Sequence, residues 1–474
     1  MPEFKLELLK PGAHVHFVGI GGISMSALAE ILIKNGFVVS GSDIKESTLT
    51  NKLQKLGVKF FLGHSKENVT GADLLVYTAA VKASNPEIQA AKQLNIPFIE
   101  RAVLLGEIMK KYQHAIAVAG THGKTTTTSM ISLILLHANL DPTILVGGEL
   151  DAINGNIRVG NSTYFVTEAC EYVESFLRFH PFVGIILNIE ADHLDYFKDL
   201  NHIIQSFKKF AQLIPENGYI VTCGDDKNIL SIINDIKCNV ITYGIKDQTY
   251  DWKAENIVFN EYGFPSFDII YKNNKISTIQ LNIPGMHNVY NALAAAACAY
   301  TLDVKIEDIV NGLYIFKGTY RRFEIKGRLN GFTIVDDYAH HPTEIKATLA
   351  AASKFPHDKI WCVFQPHTYT RTLSLLDEFS EAFTDADRVI ITDIYAARER
   401  DEHKVHSRDL VNKIIEKGGN AEYISSFDEI TSHILNQANE GDLIITMGAG
   451  NIYQVSEKIL QVGHLEYSAT SINA

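Results

Sequence analysis

The feature that most constrains the fold is an alternation of short apolar strands, glycine-containing turns and amphipathic helices. Near the amino end, His14–Ile20 (HVHFVGI) predicts a strand, Ser24–Lys34 a helix, and Phe37–Ser40 and Leu74–Tyr77 two further strands. Parallel strands need long crossover connections, which are usually helices. The alternation therefore predicts an α/β fold with parallel sheets.

The same alternation begins twice more along the chain. A strand at His114 leads through a glycine turn into a helix that ends near Leu136, and Phe332 opens a third series. Between them, residues 250–283 alternate polar and apolar positions, which indicates antiparallel hairpins ahead of an alanine-rich helix, Asn288–Tyr300. We therefore predict three α/β domains, which cover residues 1–112, 113–324 and 325–474.

The composition argues against several classes of protein. The chain has 474 residues, and its formal net charge of −12 disfavours wholesale nucleic-acid binding. No apolar run reaches the ~18 residues that a membrane span needs, and the first ten residues lack the apolar core of a signal peptide. Five scattered cysteines without a CxxC pair favour a reducing compartment. We expect a cytoplasmic protein without a nucleic-acid partner or membrane insertion.

The strongest chemical signal is the segment Gly120–Thr126 (GTHGKTT), which lies between a predicted strand and a predicted helix. Glycines let backbone N–H groups surround a phosphate, and the helix N-terminus adds partial positive charge. Lys124 can reach the β- and γ-phosphates of a nucleotide, and the Thr125 hydroxyl can ligate Mg²⁺. Val118 replaces the first glycine of GxxxxGK[ST], so a plain glycine turn is the alternative interpretation.

A second glycine-rich turn, Gly19–Ser24 (GIGGIS), follows the first predicted strand. It is similar to a dinucleotide-binding fingerprint, because Asp43 lies about 20 residues further on at the end of the next strand. Ser24 replaces the third glycine of that fingerprint. The turn therefore predicts ligand binding without naming the ligand: a dehydrogenase, a nucleotide-sugar site and a tight structural turn all fit.

An acid and a histidine follow two other predicted strands. Glu168 ends one strand, and His193 lies just beyond another in the segment NIEADHLD. Ligands bind at the carboxyl ends of strands in parallel α/β sheets. Glu168 and His193 would there help to hold Mg²⁺, although His193 would equally contact phosphate. The alternatives are a helix N-cap for Glu168 and a surface-loop histidine for His193.

Three later segments carry groups that suit a base or an anion. Asn288 begins the alanine-rich helix, where its amide would either pair with a base edge or cap the helix. Arg321 and Arg322 suit phosphate, because a planar guanidinium binds two oxygens at once, or they form a solvated basic turn. Gln365–Thr372 (QPHTYTRT) offers a cluster of donors to an anionic substrate, or forms a helix start; Asp336–Pro342 (DDYAHHP), which follows the arginines, fits a polar loop, and its adjacent histidines do not have the spacing of a zinc site.

Eight motifs occur in one order along the chain: HFVGIGGISMSALA, GTHGKTTT, TEACEYVESFL, NIEADHLD, PGMHNVYNALAA, GTYRRFE, DDYAHHPTE and QPHTYTRT. Together they resemble the Mur ligases, from about His14 to the GAGNIY segment at 448–453. The resemblance implies a Rossmann-like N-terminal domain, a central P-loop ATPase-type domain whose parallel sheet carries added antiparallel strands, and a Rossmann-like C-terminal domain. It also implies an ATP-dependent ligase that joins L-alanine to UDP-N-acetylmuramate through an acyl phosphate, for peptidoglycan precursor synthesis.

The resemblance further implies a role for each motif. Mg²⁺, in two sites, would be held by Thr125 and Glu168 with His193 at the second position, and the catalytic set would be Lys124, Glu168, His193, His341 and Arg371. The UDP-sugar would contact Gly19, Gly21, Gly22, Ser42, Asp43 and Thr78. The amino acid or muramoyl group would contact Tyr338, His340, His341, His367 and Arg371. ATP would contact Gly120, Thr121, His122, Gly123, Lys124, Thr125, Thr126, His287, Asn288, Asn291, Arg322 and Asp337.

Other functions stay open at the level of sequence. A ligase that recycles a murein tripeptide onto the same UDP-sugar would share these motifs. The N-terminal glycine turn argues against a folylpoly-glutamate-type ligase, and an NAD-dependent dehydrogenase would leave GTHGKTT without a purpose. A non-catalytic nucleotide-binding module would not need Glu168, His193 and the later histidines together.

Overall fold

The computed structural model describes residues 5–10, 12–78, 80–397 and 399–470. All predicted site residues fall within these ranges, whereas the outer limits of the predicted domains, residues 1 and 474, lie outside them. The backbone divides into two compact units: Met1–Ile189 with Ile204–Thr242 and Ala294–Gly312, and Glu190–Ile203 with Tyr243–Leu293 and Leu313–Ala474. The three domain boundaries stay predictions. Among the described residues, no helix has the length and apolar character needed to cross a membrane.

The first unit opens with alternating strands and helices: β1 (His14–Val18), α1 (Ile23–Lys34), β2 (Val38–Asp43), α2 (Thr48–Lys55), β3 (Lys59–Leu62), β4 (Leu74–Tyr77), α3 (Pro86–Gln93), β5 (Phe98–Glu100) and α4 (Arg101–Met109). The strands form a parallel sheet in the order β3-β2-β1-β4-β5. Val15, Phe17 and Val18 of β1 are fully buried, as expected for a central strand covered on both faces. The predicted alternation is confirmed here.

The first unit continues with β6 (His114–Ala119), α5 (Lys124–His137), β7 (Thr143–Leu150), β8 (Gly155–Arg158), β9 (Tyr164–Glu168), β10 (Val183–Ile186), α6 (Leu200–Ala211), β11 (Tyr219–Cys223), α7 (Lys227–Ile233) and β12 (Asn239–Gly244). The strand order is β12-β11-β10-β6-β9-β7-β8. β6 pairs in parallel with β9 and β10, whereas β7 and β8 form an antiparallel pair at the edge. α6 and β12 continue into the second unit.

The second unit contains an antiparallel meander of three strands, β13 (Trp252–Phe259), β14 (Pro265–Tyr271) and β15 (Asn274–Gln280). It confirms the hairpins predicted for residues 250–283. The alanine-rich helix α8 (Met286–Thr301) follows, and then α9 (Ile306–Tyr314); both cross between the two units. Since α8 begins two residues before Asn288, that residue lies inside the first turn and is not the helix cap.

The carboxyl-terminal part of the second unit contains β16 (Glu324–Leu329), β17 (Phe332–Asp337), α10 (Pro342–Ala352), β18 (Ile360–Phe364), α11 (Tyr369–Ser374), α12 (Leu376–Ser380), β19 (Arg388–Ile391), α13 (Ser407–Glu416), β20 (Ala421–Tyr423), α14 (Phe427–Gln437), β21 (Leu443–Met447) and α15 (Tyr453–Thr470). The six-stranded sheet has the order β16-β17-β21-β18-β19-β20, with only the β16–β17 pair antiparallel. Side chains alternate between its faces. Thus Ile360, Cys362 and Phe364 join one core, and Trp361 and Val363 the other.

Candidate active site

The glycine turn Gly120–Thr126, called the P-loop below, connects β6 to the N-terminus of α5. Gly123 precedes the helix with φ of +85°, a left-handed conformation in which a Cβ atom would be strained. Asn188 fixes the loop, because its Oδ1 accepts from His122 N at 2.7 Å and its Nδ2 donates to His122 O at 3.1 Å. The sequence analysis placed Asn188 only in a motif and missed this role.

Lys124, the first residue of α5, is held inside the P-loop. Its Nζ donates to Glu171 Oε1 and Oε2 at 3.2 and 3.0 Å, to Thr121 O at 3.1 Å and to Gly120 O. Burial alone would lower the pKa of Lys124, but the adjacent Glu171 carboxylate outweighs it and raises the pKa to about 12. The ammonium is therefore charged and fixed where phosphate would bind. Sequence reasoning did not single out Glu171, which lies 47 residues away.

Two glycines of β7 leave room for the predicted metal ligands of the first unit. Glu168, the last residue of β9, accepts from Gly147 N at 2.6 Å. A Cβ atom on Gly147 would lie 2.8 Å from both Glu168 carboxylate oxygens, and one on Gly148 would lie 3.3 Å from Thr125 Cγ2. Because both glycines lack a side chain, Glu168 packs against Gly147 and Thr125 lies beside Gly148, its neighbour in β7.

The N-terminal glycine turn is held by the end of β2. Gly19 N donates to Ser42 O at 2.8 Å, and Gly21 N donates to Asp43 Oδ2 at 2.9 Å. Gly22 caps the N-terminus of α1, and Thr78 follows β4 close to Gly19. The structure thus brings these predicted UDP-sugar residues together at the carboxyl ends of β1, β2 and β4.

A buried polar network lies beneath this turn. Ser42 Oγ donates to Glu87 Oε2 at 2.7 Å, and Asn68 Nδ2 donates to Glu87 Oε1 at 2.6 Å. The Glu87 carboxylate is also 3.5 Å from His16 Nε2, and both side chains are fully buried. Burial alone would raise the pKa of Glu87, but hydrogen bonds from His16, Ser42 and Asn68 lower it. Glu87 is therefore a charged group that positions Ser42, a function the sequence analysis did not foresee.

In the second unit, a buried ion pair joins two predicted motifs. Arg371 donates from Nε and a terminal nitrogen to Asp192 Oδ1 at 3.0 and 2.9 Å, and its other terminal nitrogen lies 3.2 Å from His367 Nδ1. Burial would raise the pKa of Asp192, but the Arg371 guanidinium holds it well below its usual range. His193 lies beside the pair, with Nε2 3.8 Å from Asp192 Oδ2 and φ of +54°.

The adjacent histidines 340 and 341 have different roles. His341 caps α10, because its Nδ1 accepts from Thr343 N at 3.3 Å; its Nε2–H therefore donates to Ala191 O at 3.2 Å. His340 Nδ1 donates to Tyr338 O at 3.0 Å, and its ring lies 5.9 Å from that of His367. Burial lowers the pKa of His340 to about 3. His340 is therefore neutral, with its Nδ1–H committed to the Tyr338 carbonyl.

Two neighbouring arginines also differ. Arg321 is buried and structural, since it donates to Asp336 Oδ2 at 2.7 Å, Gly448 O at 2.7 Å and Gly450 O at 3.0 Å. Its interpretation as a phosphate ligand does not fit these bonds. Arg322 is more exposed, 3.8 Å from Glu344 Oε1. Of the two, only Arg322 has a guanidinium accessible to a ligand.

The remaining predicted ATP contacts of the second unit lie at the start of α8 and the end of β17. His287 is exposed, whereas Asn288 and Asn291 are buried and linked to each other, with Asn291 Nδ2 3.0 Å from Asn288 Oδ1. Asn288 Nδ2 also donates to Pro284 O at 2.7 Å. Asp337 accepts from Phe323 N and Ala339 N, both at 2.7 Å, and burial raises its pKa to about 6. The ATP contacts predicted for these residues remain predictions.

Models of one enzyme family match three consecutive parts of the chain. These are the Mur ligase family, catalytic domain, at residues 14–113, the Mur ligase middle domain at 118–299, and the Mur ligase, glutamate ligase domain, at 321–450. A UDP-N-acetylmuramate--L-alanine ligase of Acetivibrio thermocellus is 59% identical over 459 residues, which cover 96% of this chain and 98% of that protein.

Solved structures agree with these matches. The UDP-N-acetylmuramate-alanine ligase of Thermotoga maritima is similar with a TM-score of 0.80 and 30% identity, over 96% of this chain and 99% of that one. A murein peptide ligase of Psychrobacter arcticus has a TM-score of 0.70 and 28% identity, over 95% and 98%. The glycine turns, the acids after the strands and the full-length similarity lead to one conclusion: the chain belongs to the Mur ligase family.

Proposed function

We propose that this chain is an ATP-dependent ligase that joins L-alanine to the carboxylate of UDP-N-acetylmuramate, in the cytoplasm, as a step of peptidoglycan precursor synthesis. The observation that carries the proposal is the P-loop with Lys124 fixed inside it and Thr125 and Glu168 beside it. The 59% identity to a UDP-N-acetylmuramate--L-alanine ligase supports the choice of substrates.

The reaction needs two displacements. A carboxylate is a poor acyl donor, because oxide is a poor leaving group. In the first step a muramoyl carboxylate oxygen attacks the γ-phosphorus of ATP, the bond to ADP breaks, and an acyl phosphate forms. In the second step the alanine amine attacks the acyl carbon, phosphate leaves, and the nitrogen loses a proton. Positioning and charge stabilisation supply most of the catalysis in such transfers.

In the first unit, the P-loop would bind the phosphates of ATP. The backbone N–H groups at the start of α5 point to the turn, and the Lys124 ammonium would move from Glu171 to the transferred phosphoryl group. Gly120, Thr121, His122 and Gly123 supply the turn, with Thr126 behind it. In the second unit, the exposed ring of His287 would stack on the base.

The residues of the first unit fit a magnesium ion. Thr125 and Glu168 offer a hydroxyl and a carboxylate, which are the hard oxygen donors that Mg²⁺ prefers, beside the space that Gly147 and Gly148 leave open. Mg²⁺ there would neutralise the charge that develops on the phosphates. His193 remains a proposed ligand of a second ion in the second unit.

The UDP-sugar would bind at the N-terminal glycine turn. The turn precedes α1, a helix of 12 residues whose N-terminus suits the diphosphate. Because both carboxylate oxygens of Asp43 accept backbone N–H groups, from Gly21 and Ile44, this residue first shapes the turn. Ser42 and Thr78 lie beside it on the neighbouring strand ends.

In the second unit, Arg371, His367, His340 and Tyr338 would contact the amino acid or the muramoyl carboxylate. Arg371 is 9% exposed and already paired with Asp192, so the pair presents little net charge. We propose that His341 acts by positioning, since both ring nitrogens hold backbone groups.

The test is phosphate release from ATP and Mg²⁺ by the full chain with UDP-N-acetylmuramate, with and without L-alanine, D-glutamate or a murein tripeptide. We expect release that requires both the sugar nucleotide and L-alanine. Release driven by the tripeptide would keep the mechanism and identify a recycling ligase, for which the similarity to a murein peptide ligase is the relevant precedent. No release with any acceptor would overturn the proposed ligase activity.

A further inference from the structure

Four aromatic rings form a row at the amino ends of adjacent strands in the first unit. His114 begins β6, Tyr164 begins β9, Tyr219 begins β11, and Phe182 directly precedes β10. The His114 and Tyr164 rings stack at 4.7 Å, whereas His114 with Phe182, and Phe182 with Tyr219, make edge contacts at 5.9 Å. All four residues are only partly buried, so the row keeps accessible ring surface.

This aromatic row lines a cavity of about 500 Å³. The opposite wall comes from the α5–β7 connection, with Ala138 and Leu140, and from the α8–α9 connection, Thr301–Lys305, with Asp308 of α9. The volume lies within the range of roughly 300–1,000 Å³ that is typical of small-molecule sites. The cavity is therefore large enough for a small organic ligand.

The acidic side chains in the cavity lining, Asp303 and Asp308, outnumber the one lysine, Lys305. The negative charge of Asp303 acts to raise the pKa of both His114 and Tyr164. Among the described residues, Asp303 forms no ion pair. Asp308 Oδ1 lies 3.7 Å from His137 Nε2. Burial lowers the pKa of His114, against the opposing effect of Asp303.

His114 adds a polar atom that can accept a hydrogen bond. Its Nδ1 is buried and has no hydrogen-bond partner among the residues that the structure describes. Buried polar atoms normally have partners, because an unpaired one loses its hydration without compensation. Because protein atoms enclose Nδ1, a ligand in the cavity would contact the face of the His114 ring, and cations are attracted to the faces of aromatic rings.

We propose that the cavity binds a small organic ammonium ion, with its charge between the aromatic row and the Asp303 carboxylate. The site is separate from the P-loop, since His114 and Gly120 lie at opposite ends of β6. Six residues at ~3.3 Å each place the two ends roughly 20 Å apart. The ligand would therefore bind without displacing ATP.

The probe is benzylammonium, with neutral benzyl alcohol as its matched control, titrated into the full chain and followed by saturation-transfer NMR. We expect benzylammonium to bind about fivefold more tightly than benzyl alcohol, because only the cation gains from Asp303 and the ring faces. Equal binding of the two, or no binding of benzylammonium, would overturn the proposal.

Variants then locate the site. Asp303 has φ of +60°, which asparagine tolerates well, so Asp303→Asn removes the charge without straining the turn. We expect this variant to abolish the preference for benzylammonium and to leave phosphate release unchanged. Asp235→Asn, which removes an exposed carboxylate paired with Lys208, is the control and keeps the preference.

A second variant tests the rings. Tyr164→Leu removes one ring of the aromatic row. We expect it to weaken the binding of benzylammonium by about fivefold. The titration is carried out both without and with ATP and Mg²⁺, so that competition between ATP and the probe is measured. Displacement of the probe by ATP, or full binding by both Asp303→Asn and Tyr164→Leu, would place the probe elsewhere and contradict the proposed site.

Discussion

At the scale of single residues, the charged groups of the candidate site each have a defined protein partner. Lys124 is paired with Glu171, Arg371 with Asp192, and Asp43 with the N–H of Gly21. Such pairing fixes the rotamers of long side chains, which is a condition for precise positioning of substrates. Mutations at these residues therefore change charge and geometry together.

For Lys124→Ala, we expect phosphate release to fall by at least about 100-fold, because the fixed positive charge at the transferred phosphoryl group is lost. UDP-N-acetylmuramate binding, measured by calorimetry, should stay within about twofold, since that site is built from β1, β2 and β4. Lys34→Ala, at the end of α1, is the control. Loss of sugar-nucleotide binding in Lys124→Ala would contradict this division of roles.

Two buried groups of the second unit give opposite pH dependences of stability. The pKa of Asp337 rises to about 6 in the fold, so the folded state holds a proton between about pH 4 and 6 that the unfolded state releases. Stability from Asp337 is thus lost as pH rises through that window. The pKa of His340 falls to about 3, so its contribution is lost as pH falls below about 6.5.

Urea unfolding between pH 4 and 6 separates the two effects. The measured quantity is the slope of the unfolding free energy against pH. Asp337→Asn should make this slope more positive, and His340→Asn should make it more negative. Each change should reach up to about 1.4 kcal/mol per pH unit. The double variant, in which both effects are absent, should return close to the original slope. An unchanged slope in both single variants would show that neither group titrates as described.

At the scale of elements, the positions of strands were easier to predict than which strands pair with each other. Apolar runs located β1 and β4 within two residues, because buried parallel strands are continuously apolar. The antiparallel pair β7–β8 was not foreseen, since Gly147, Gly148 and Gly155 interrupt its pattern. Of these glycines, Gly147 leaves room for the Glu168 carboxylate, a contact that is visible only in the folded sheet.

The variant Gly147→Ala tests whether Glu168 needs the room that Gly147 leaves beside its carboxylate. The added Cβ would lie 2.8 Å from both Glu168 carboxylate oxygens, so the carboxylate must turn away. We expect the Mg²⁺ concentration for half-maximal phosphate release to rise by about 10–100-fold, which is the usual effect of disturbing the residues that orient a metal ligand. Thr163→Ala, an exposed change just before β9, should leave it unaltered. An unchanged Mg²⁺ requirement in Gly147→Ala would exclude Glu168 as a ligand.

At the scale of the whole molecule, the order of motifs predicted the family, but not which distant residues meet. Glu171 holds Lys124, which lies 47 residues away, and Asn188 holds His122, which lies 66 residues away. No local sequence pattern predicts partners at such separations. Phosphate binding was one of two interpretations of Arg321, because a guanidinium suits phosphate; the other was a solvated basic turn. The fold uses it instead to join Asp336 to Gly448 and Gly450.

The predicted third domain gives a test at this scale. Its sheet has a hydrophobic core on each face, built entirely from residues 323–460. We therefore expect a fragment of residues 318–474, which retains Arg321, to fold alone and melt cooperatively by circular dichroism. Residues 338–474 lack β16 and β17 and should not fold, because β17 is buried beside β21. Failure of the longer fragment would contradict the predicted boundary.

The Lys124–Glu171 ion pair has a consequence for how nucleotide affinity is to be interpreted. In the proposed site, phosphate would take the place of the Glu171 carboxylate, so ATP binding would be an exchange of one anion for another at the same ammonium. The measured dissociation constant is then a difference between two electrostatic states, and it understates the strength of the phosphate contact. A shorter side chain at position 171 would shift that balance toward ATP, so this single glutamate would act as an internal competitor that sets the nucleotide concentration at which the enzyme responds.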